Sequence, residues 1–224
     1  MGAMGETIRD RLERVQERVA RAALKVGRDP EGITLIAVSK RKPATDIVAA
    51  YEVGQRHFGE NYIQEFQAKK TELPELPGAM FHFIGKLQSN KTRVACDLFD
   101  SIHTVTSAKL ARRMDEQSVG NRNVFIEVKL STEEAKGGLA PEEVPQLAEF
   151  IRSSARLNLR GLMTMPPWTE DPADARPYFQ KLRELAAANG LIDLSMGMSR
   201  DLEAAIEEGA TFIRVGTAIF GERD

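Results

Sequence analysis

LSMGMSRDLEAAIEEGATFIRVGTAIFG, residues 194–221, holds most of one strand–helix–strand unit together with its turns. An apolar run over 191–196 leads into Gly197-Met198-Ser199, and a helical pattern over 199–208 follows. That helix stops at Gly209, as a left-handed C-terminal residue requires. A second apolar run, 211–215, then enters Gly216-Thr217. Two strands joined by a helix pair in parallel, because parallel neighbours need a crossover between them.

The same alternation extends back through the chain. Apolar runs stand at 33–38, 56–59, 80–84, 98–102, 123–130 and 158–164, the second being short and weak. Helical patterns at 44–53, 61–72, 88–95, 107–117, 141–154 and 177–188 separate them, the last stopped by Asn189-Gly190. An additional amphipathic helix over 5–26 opens the chain, with Ile8, Leu12, Val15, Val19, Ala22 and Val26 on one face. Eight strands apolar enough to be covered on both sides predict a closed (β/α)8 TIM barrel of the α/β class with an extra N-terminal helix. An open doubly wound sheet is the competing arrangement. No linker or compositional break divides the chain, so residues 5–224 are expected to form one domain. Residues 1–3 precede a second methionine and are set aside as an expression remnant.

The 224 residues are 42% hydrophobic, enough for one substantial core without disulfides or metals. Cys96 is the single cysteine, which excludes an internal disulfide and a cysteine-based metal cage. Net charge is −2, from 31 basic and 33 acidic residues, and gives no footprint for nucleic acid. No window resembles a membrane span or a secretory signal, so the expected compartment is the cytosol.

A barrel of this kind does its chemistry at the C-terminal ends of the strands. Polar and glycine-rich clusters fall there: Ser39-Lys40, Gly59-Glu60-Asn61-Tyr62, Gly85-Lys86, His103-Thr104, Met163-Thr164-Met165-Pro166-Pro167, the 195–199 segment, and Gly216-Thr217 after Arg214. Loops after the seventh and eighth strands often bind phosphate through backbone amides and a helix start. Ser199 is placed to cap the helix 199–208, Thr217 offers a hydroxyl, and Gly197, Gly216 and Gly221 allow close approach of an anion. Asp201 in the same turn is mildly repulsive, with Arg200 beside it; an ordinary N-cap with tight turns is the plainer reading. Lys40 ends the first strand, where partial desolvation would free its amine as a nucleophile. A lysine facing a phosphate site suggests an aldehyde phosphate held at both ends, which pyridoxal 5'-phosphate (PLP) fits. A Schiff-base aldolase acting on a sugar phosphate fits as well.

His57, His82 and His103 come from three different strands without a joining carboxylate motif, so they are read as core histidines and no metal site is expected. His82, between Phe81 and Phe83, is expected to face the barrel interior or its mouth.

The stretches LIAVSKRKP (35–43), HFGENYIQE (57–65), FHFIGKLQSNK (81–91), GLMTM (161–165) and 194–221 together resemble the pyridoxal phosphate homeostasis protein family (the YggS/PROSC family). The resemblance covers residues 8–222, with every motif in family order. It implies a fold-type III PLP barrel, like the N-terminal domain of alanine racemase without that enzyme's second domain. It implies that Lys40 carries PLP as a Schiff base, with the phosphate near Met198, Ser199, Gly216 and Thr217. Arg214 then touches the ring nitrogen or the phosphate, and Asn61 lies beside the ring. Lys136 resembles a family lysine on a mobile loop.

An arginine at the pyridine nitrogen weakens the ring as an electron sink. None of Tyr51, Tyr62 and Tyr178 stands in an acid/base motif. The expected role is therefore a PLP-binding protein of intracellular PLP homeostasis with no catalytic residues, handing PLP to apo-enzymes. A small PLP-dependent amino-acid racemase is the alternative. A monomer is expected, since the barrel closes its core without a partner.

Overall fold

The computed structural model describes residues 6–131 and 137–222. Eight strands, β1 (Thr34–Val38), β2 (His57–Glu60), β3 (Met80–Phe83), β4 (Ser101–Val105), β5 (Arg122–Glu127), β6 (Leu157–Met163), β7 (Asp193–Ser195) and β8 (Phe212–Val215), close into one parallel barrel in chain order. The seam joins the ends of the chain: Thr34 of β1 stands opposite Phe212 of β8, and Ala37 opposite Val215. This is the (β/α)8 fold that the alternation predicts, and the open sheet is excluded.

Helices α2 (Ala44–Glu52), α3 (Ile63–Glu72), α4 (Thr92–Leu98), α5 (Ala108–Gln117), α6 (Val144–Arg152), α7 (Arg176–Ala188) and α8 (Leu202–Glu207) connect successive strands. The extra helix α1 (Ile8–Lys25) is started by a capping box in which Thr7 and Asp10 satisfy each other's backbone amides. Its apolar face, Leu12, Val15, Val19 and Ala22, packs on α8, α2 and a short α9 (Thr217–Phe220) that the sequence patterns do not reveal.

Strand alternation sorts the apolar residues into two places. Outward positions such as Ala37, Phe58, Phe81, Phe83, Ile102, Val124, Ile126, Ile213 and Val215 join the helices in one large core. Inward positions are fewer, with Ile36, Val38 and Ile84 forming a small separate cluster against Phe212. The rest of the lumen holds the Phe125 ring among polar side chains, of which His82, His103, Ser195 and Arg214 are all buried. The expectation of strands apolar on both faces therefore holds for the outer face and only part of the inner one. Among the described residues no helix is long and apolar enough to cross a membrane.

Candidate functional site at the barrel mouth

A cavity of about 240 Å³ opens at the C-terminal ends of the strands. Lys40, Asn61, Met198, Ser199, Arg214, Gly216 and Thr217, the seven residues singled out from sequence, all line it. They come from the loops after β1, β2 and β7 and from β8 with its following turn. Met165, Pro167, Trp168 and Thr169 from the loop after β6 form one wall. Arg200 closes the rim there, its guanidinium 5.2 Å from the Trp168 ring centre and donating to the Glu170 carbonyl at 2.9 Å.

The backbone on both sides of Lys40 is clamped. Ser39 N–H donates across the sheet to the Gly59 carbonyl, and its hydroxyl donates to Glu60 Oε1 at 2.8 Å. Lys69 reaches in from α3, 6% exposed, and donates to the Ser39 carbonyl at 2.9 Å, Glu60 Oε1 at 2.7 Å and Glu65 Oε1 at 3.1 Å. Glu65 Oε1 also accepts the Arg41 amide at 2.6 Å. Arg41 has φ 59°, the only positive value among described non-glycine residues, so the chain turns sharply just past Lys40. Burial pushes the Glu60 carboxyl up, and Lys69 and Ser39 pull it back. Its second oxygen has no hydrogen-bond partner. Ser39, Glu60 and Glu65 fall inside the motif stretches, but no sequence pattern joins them to Lys69, whose only signal is a lysine on the apolar face of a helix.

On the opposite side, the segment after β7 departs from expectation. Ser199 is not the cap of a helix over 199–208: residues 199–201 form a turn, and α8 begins at Leu202. Asp201 holds the N-cap position without a side-chain cap bond; its carboxylate instead accepts the Met198 amide at 2.6 Å and ties the turn to itself. Asp201 therefore supports the loop instead of merely repelling an anion, although burial raises its carboxyl above the usual range. The Ser199 hydroxyl is spared from capping, while its carbonyl accepts Arg18 of α1 at 2.9 Å. Arg18 is held in turn by Glu203, so the extra helix positions a wall of the cavity. Gly197 has φ 90°, and a Cβ there would lie 2.5 Å from that of Ala205, so the close packing of this loop on α8 requires glycine.

Asn61 is fixed by a close approach from the third loop: a Cβ on Gly85 would lie 2.0 Å from the Asn61 carbonyl oxygen. The Asn61 side-chain oxygen is buried without a protein partner. Asn61, Ile84 and Met165 also face an adjoining cavity of about 220 Å³ lined by Lys86, Thr104, Glu127 and Gly137. Lys136, named from sequence, lies outside the described residues.

Arg214 rises from the lumen, 3% exposed, and donates to Ser195 Oγ at 2.7 Å and the Thr164 carbonyl at 2.9 Å. Burial brings its pKa down to about 10, with Asp201 and Glu127 opposing, so the guanidinium stays charged at neutral pH. The histidines are buried or half-buried inside the barrel as expected, but they are also linked: His57 Nδ1 to His82 Nε2 at 2.9 Å, His82 Nδ1 to His103 Nε2 at 3.0 Å, and His103 Nδ1 to Ser195 Oγ at 2.8 Å. They form consecutive links and do not converge on a point.

The family model for the alanine racemase N-terminal domain matches residues 11–224. A pyridoxal phosphate homeostasis protein of Pseudomonas aeruginosa is 47% identical over 223 residues, covering 97% of this chain and 96% of the relative. One from Escherichia coli K12 is 43% identical over 226 residues, covering 95% of each. The PLP-bound structure of PipY from Synechococcus elongatus superposes with TM-score 0.80 at 41% identity, over 92% of this chain and 100% of that one. Alanine racemase of Corynebacterium glutamicum, 16% identical with TM-score 0.69, shares the fold over 61% of its length. Within the fold of the alanine racemase N-terminal domain, the chain thus belongs to the pyridoxal phosphate homeostasis protein family.

Proposed function

We propose that the barrel mouth binds PLP and that the protein, acting in the cytosol with residues 5–224 as one binding unit, serves intracellular PLP homeostasis. The observation that carries the reading is the meeting of an amine (Lys40), a buried guanidinium (Arg214) and two hydroxyls (Ser199 and Thr217) on one cavity. When bound, PLP supplies a reactive aldehyde. Lys40 is the amine that holds it, on a backbone that Glu60, Glu65 and Lys69 keep from shifting. Ser199, Thr217 and the Gly216 backbone take the phosphate at the rim, with Met198 beside it, its own amide being held by Asp201. Arg214 faces the ring: it sits in the lumen with two donors already spent on Ser195 and Thr164, leaving others for a ring nitrogen. Asn61, with an unpartnered amide oxygen, stands beside the ring.

The donor set fits binding better than turnover. A charged Arg214 at the ring would disfavour ring protonation. No tyrosine, histidine or cysteine lines the large cavity among the described residues. Tyr51 donates instead to the Pro77 carbonyl at 2.8 Å, remote from the site. Holding PLP reversibly and passing it to apo-enzymes, as a monomer, is the role this favours, and the homeostasis names of the relatives support it.

The test is an absorbance spectrum of the purified protein with added PLP, before and after Lys40→Ala. A visible band in the wild type that the variant lacks is the expected result. A wild type that stays colourless with PLP present would sink the cofactor assignment.

A further inference from the structure

The lumen carries a hydrogen-bonded line of four side chains that ends on Arg214, and its polarity follows from elementary donor counting. A guanidinium can only donate, so Ser195 Oγ must accept from Arg214. The single hydroxyl proton of Ser195 then has one acceptor among the described residues, His103 Nδ1. A neutral imidazole has one donor and one acceptor. His103 therefore carries its proton on Nε2 and gives it to His82 Nδ1, and His82 likewise gives its Nε2 proton to His57 Nδ1. The line runs one way, from the cavity toward the half-exposed His57 at the start of β2.

The surroundings keep it neutral. Phe125 stacks on the His103 ring at 4.2 Å, and Phe212 meets both His82 and His103 edge-on or tilted. Burial drives the His82 pKa down to about 3, and that of His103 falls well below the usual value, with Arg214 adding repulsion. Around the line stand the charges of Arg214, Glu127 and Asp201 at the mouth and Asp100 near His57. Buried polar groups in a barrel lumen are costly unless each is satisfied, and here each link satisfies the next.

We propose that Ser195, His103, His82 and His57 are positioning residues for Arg214: a one-way line of neutral Nε2–H imidazoles commits the Ser195 hydroxyl to His103 and leaves its lone pairs for the guanidinium. With the Thr164 carbonyl holding the other arm, Arg214 is fixed from two sides without any carboxylate pairing directly with it among the described residues. The Arg214 charge is thereby held at the cavity floor by neutral partners, with Glu127 and Asp201 acting on it only without direct contact. The geometry of the line stands by itself; its consequence for a bound ring rests on the PLP reading above.

Two measurements on the full chain test this. In the ¹⁵N-labelled wild type, long-range imidazole correlations should find His82 and His103 as single Nε2–H tautomers that do not titrate between about pH 8 and pH 5. An Nδ1–H tautomer or a protonation step at either residue would overturn the proposal. In PLP-loaded protein, Ser195→Ala should weaken PLP binding about tenfold and move the pH midpoint of the visible band, with Ser195→Thr restoring both. If Ser195→Ala lowers only the melting temperature and leaves affinity and midpoint at wild-type values, the positioning role is wrong. Should the wild type bind no PLP, the cofactor reading falls and the imidazole spectrum alone decides the line.

Discussion

The two sides of the sheet solve burial differently. Outside the barrel, between strands and helices, lies a continuous apolar core built from residues such as Phe58, Phe66, Phe99, Ile102, Phe179 and Leu182. Inside, three aliphatic residues and two aromatic rings share the space with His82, His103, Ser195 and Arg214. The outer layer holds the molecule together by removing apolar area from water, and little there needs a defined hydrogen-bond direction. The lumen contributes less to such burial and instead keeps polar atoms in fixed orientation beneath the site. Stability and function are thus separated by a single sheet thickness.

The largest effect that would break this division belongs to the outer layer. Phe179 of α7 is fully buried, and Phe179→Ala should cost about 4 kcal/mol in urea unfolding while leaving ligand affinity intact in the folded fraction. An affinity loss matching the stability loss would show that the two layers are not separable. Lys69, at the border between them, comes next. Lys69→Met leaves Glu60 buried and unpaired and should cost about 3 kcal/mol. With the ammonium gone, the Glu60 carboxyl is raised further above its ordinary 4.5. The fold then binds a proton that the unfolded chain has released, so the variant should lose stability as pH rises through that window. A pH-independent loss would mean that Glu60 stays ionised without Lys69.

The smallest effect sharpens the picture of the lumen. His82 has an ordinary pKa of 6.5 unfolded and about 3 folded. Its contribution is therefore fully present above 6.5 and is lost as pH falls toward 3. By about pH 5 the wild type should have lost roughly 2 kcal/mol through His82 alone, read from urea midpoints across the range. A flat profile from neutral to about pH 5 would show that the lumen admits a proton at no cost, contrary to a sealed interior.

The barrel is legible because short apolar runs and helical patterns alternate along the chain, and because side chains that leave parallel strands at their C-terminal ends must share a mouth. Boundaries moved where an apolar residue serves a helix end: Leu98 and Phe99, expected in the fourth strand, close α4 and join the outer core. Of the seven cavity residues, Lys40, Ser199, Gly216 and Thr217 are marked by local chemistry, while Asn61, Met198 and Arg214 come with the family resemblance. Ser199 and Asp201 are both favoured N-cap residues, so preference alone does not choose between them; the helix starts after Asp201, whose carboxylate is engaged by the Met198 amide and makes no cap bond. The histidine line escaped for a different reason. Alternation places His82 and His103 inside, but which residues meet across a barrel depends on strand stagger, which one sequence does not state. The Lys69 clamp likewise joins β2, α3 and the loop after β1 in a way no local pattern carries.

The seam between β1 and β8 has a temporal consequence. Lys40 leaves the first strand and Thr217 follows the last, so the two walls of the cavity meet only when strands separated by nearly the whole chain have paired. Contacts of such sequence separation form late in folding. During synthesis, the lining that Lys40 shares with Gly216 and Thr217 is incomplete until β8 and the turn after it have been made. On the proposed PLP reading, the ligand is taken up only by the closed barrel, and by binding there it stabilises the closure.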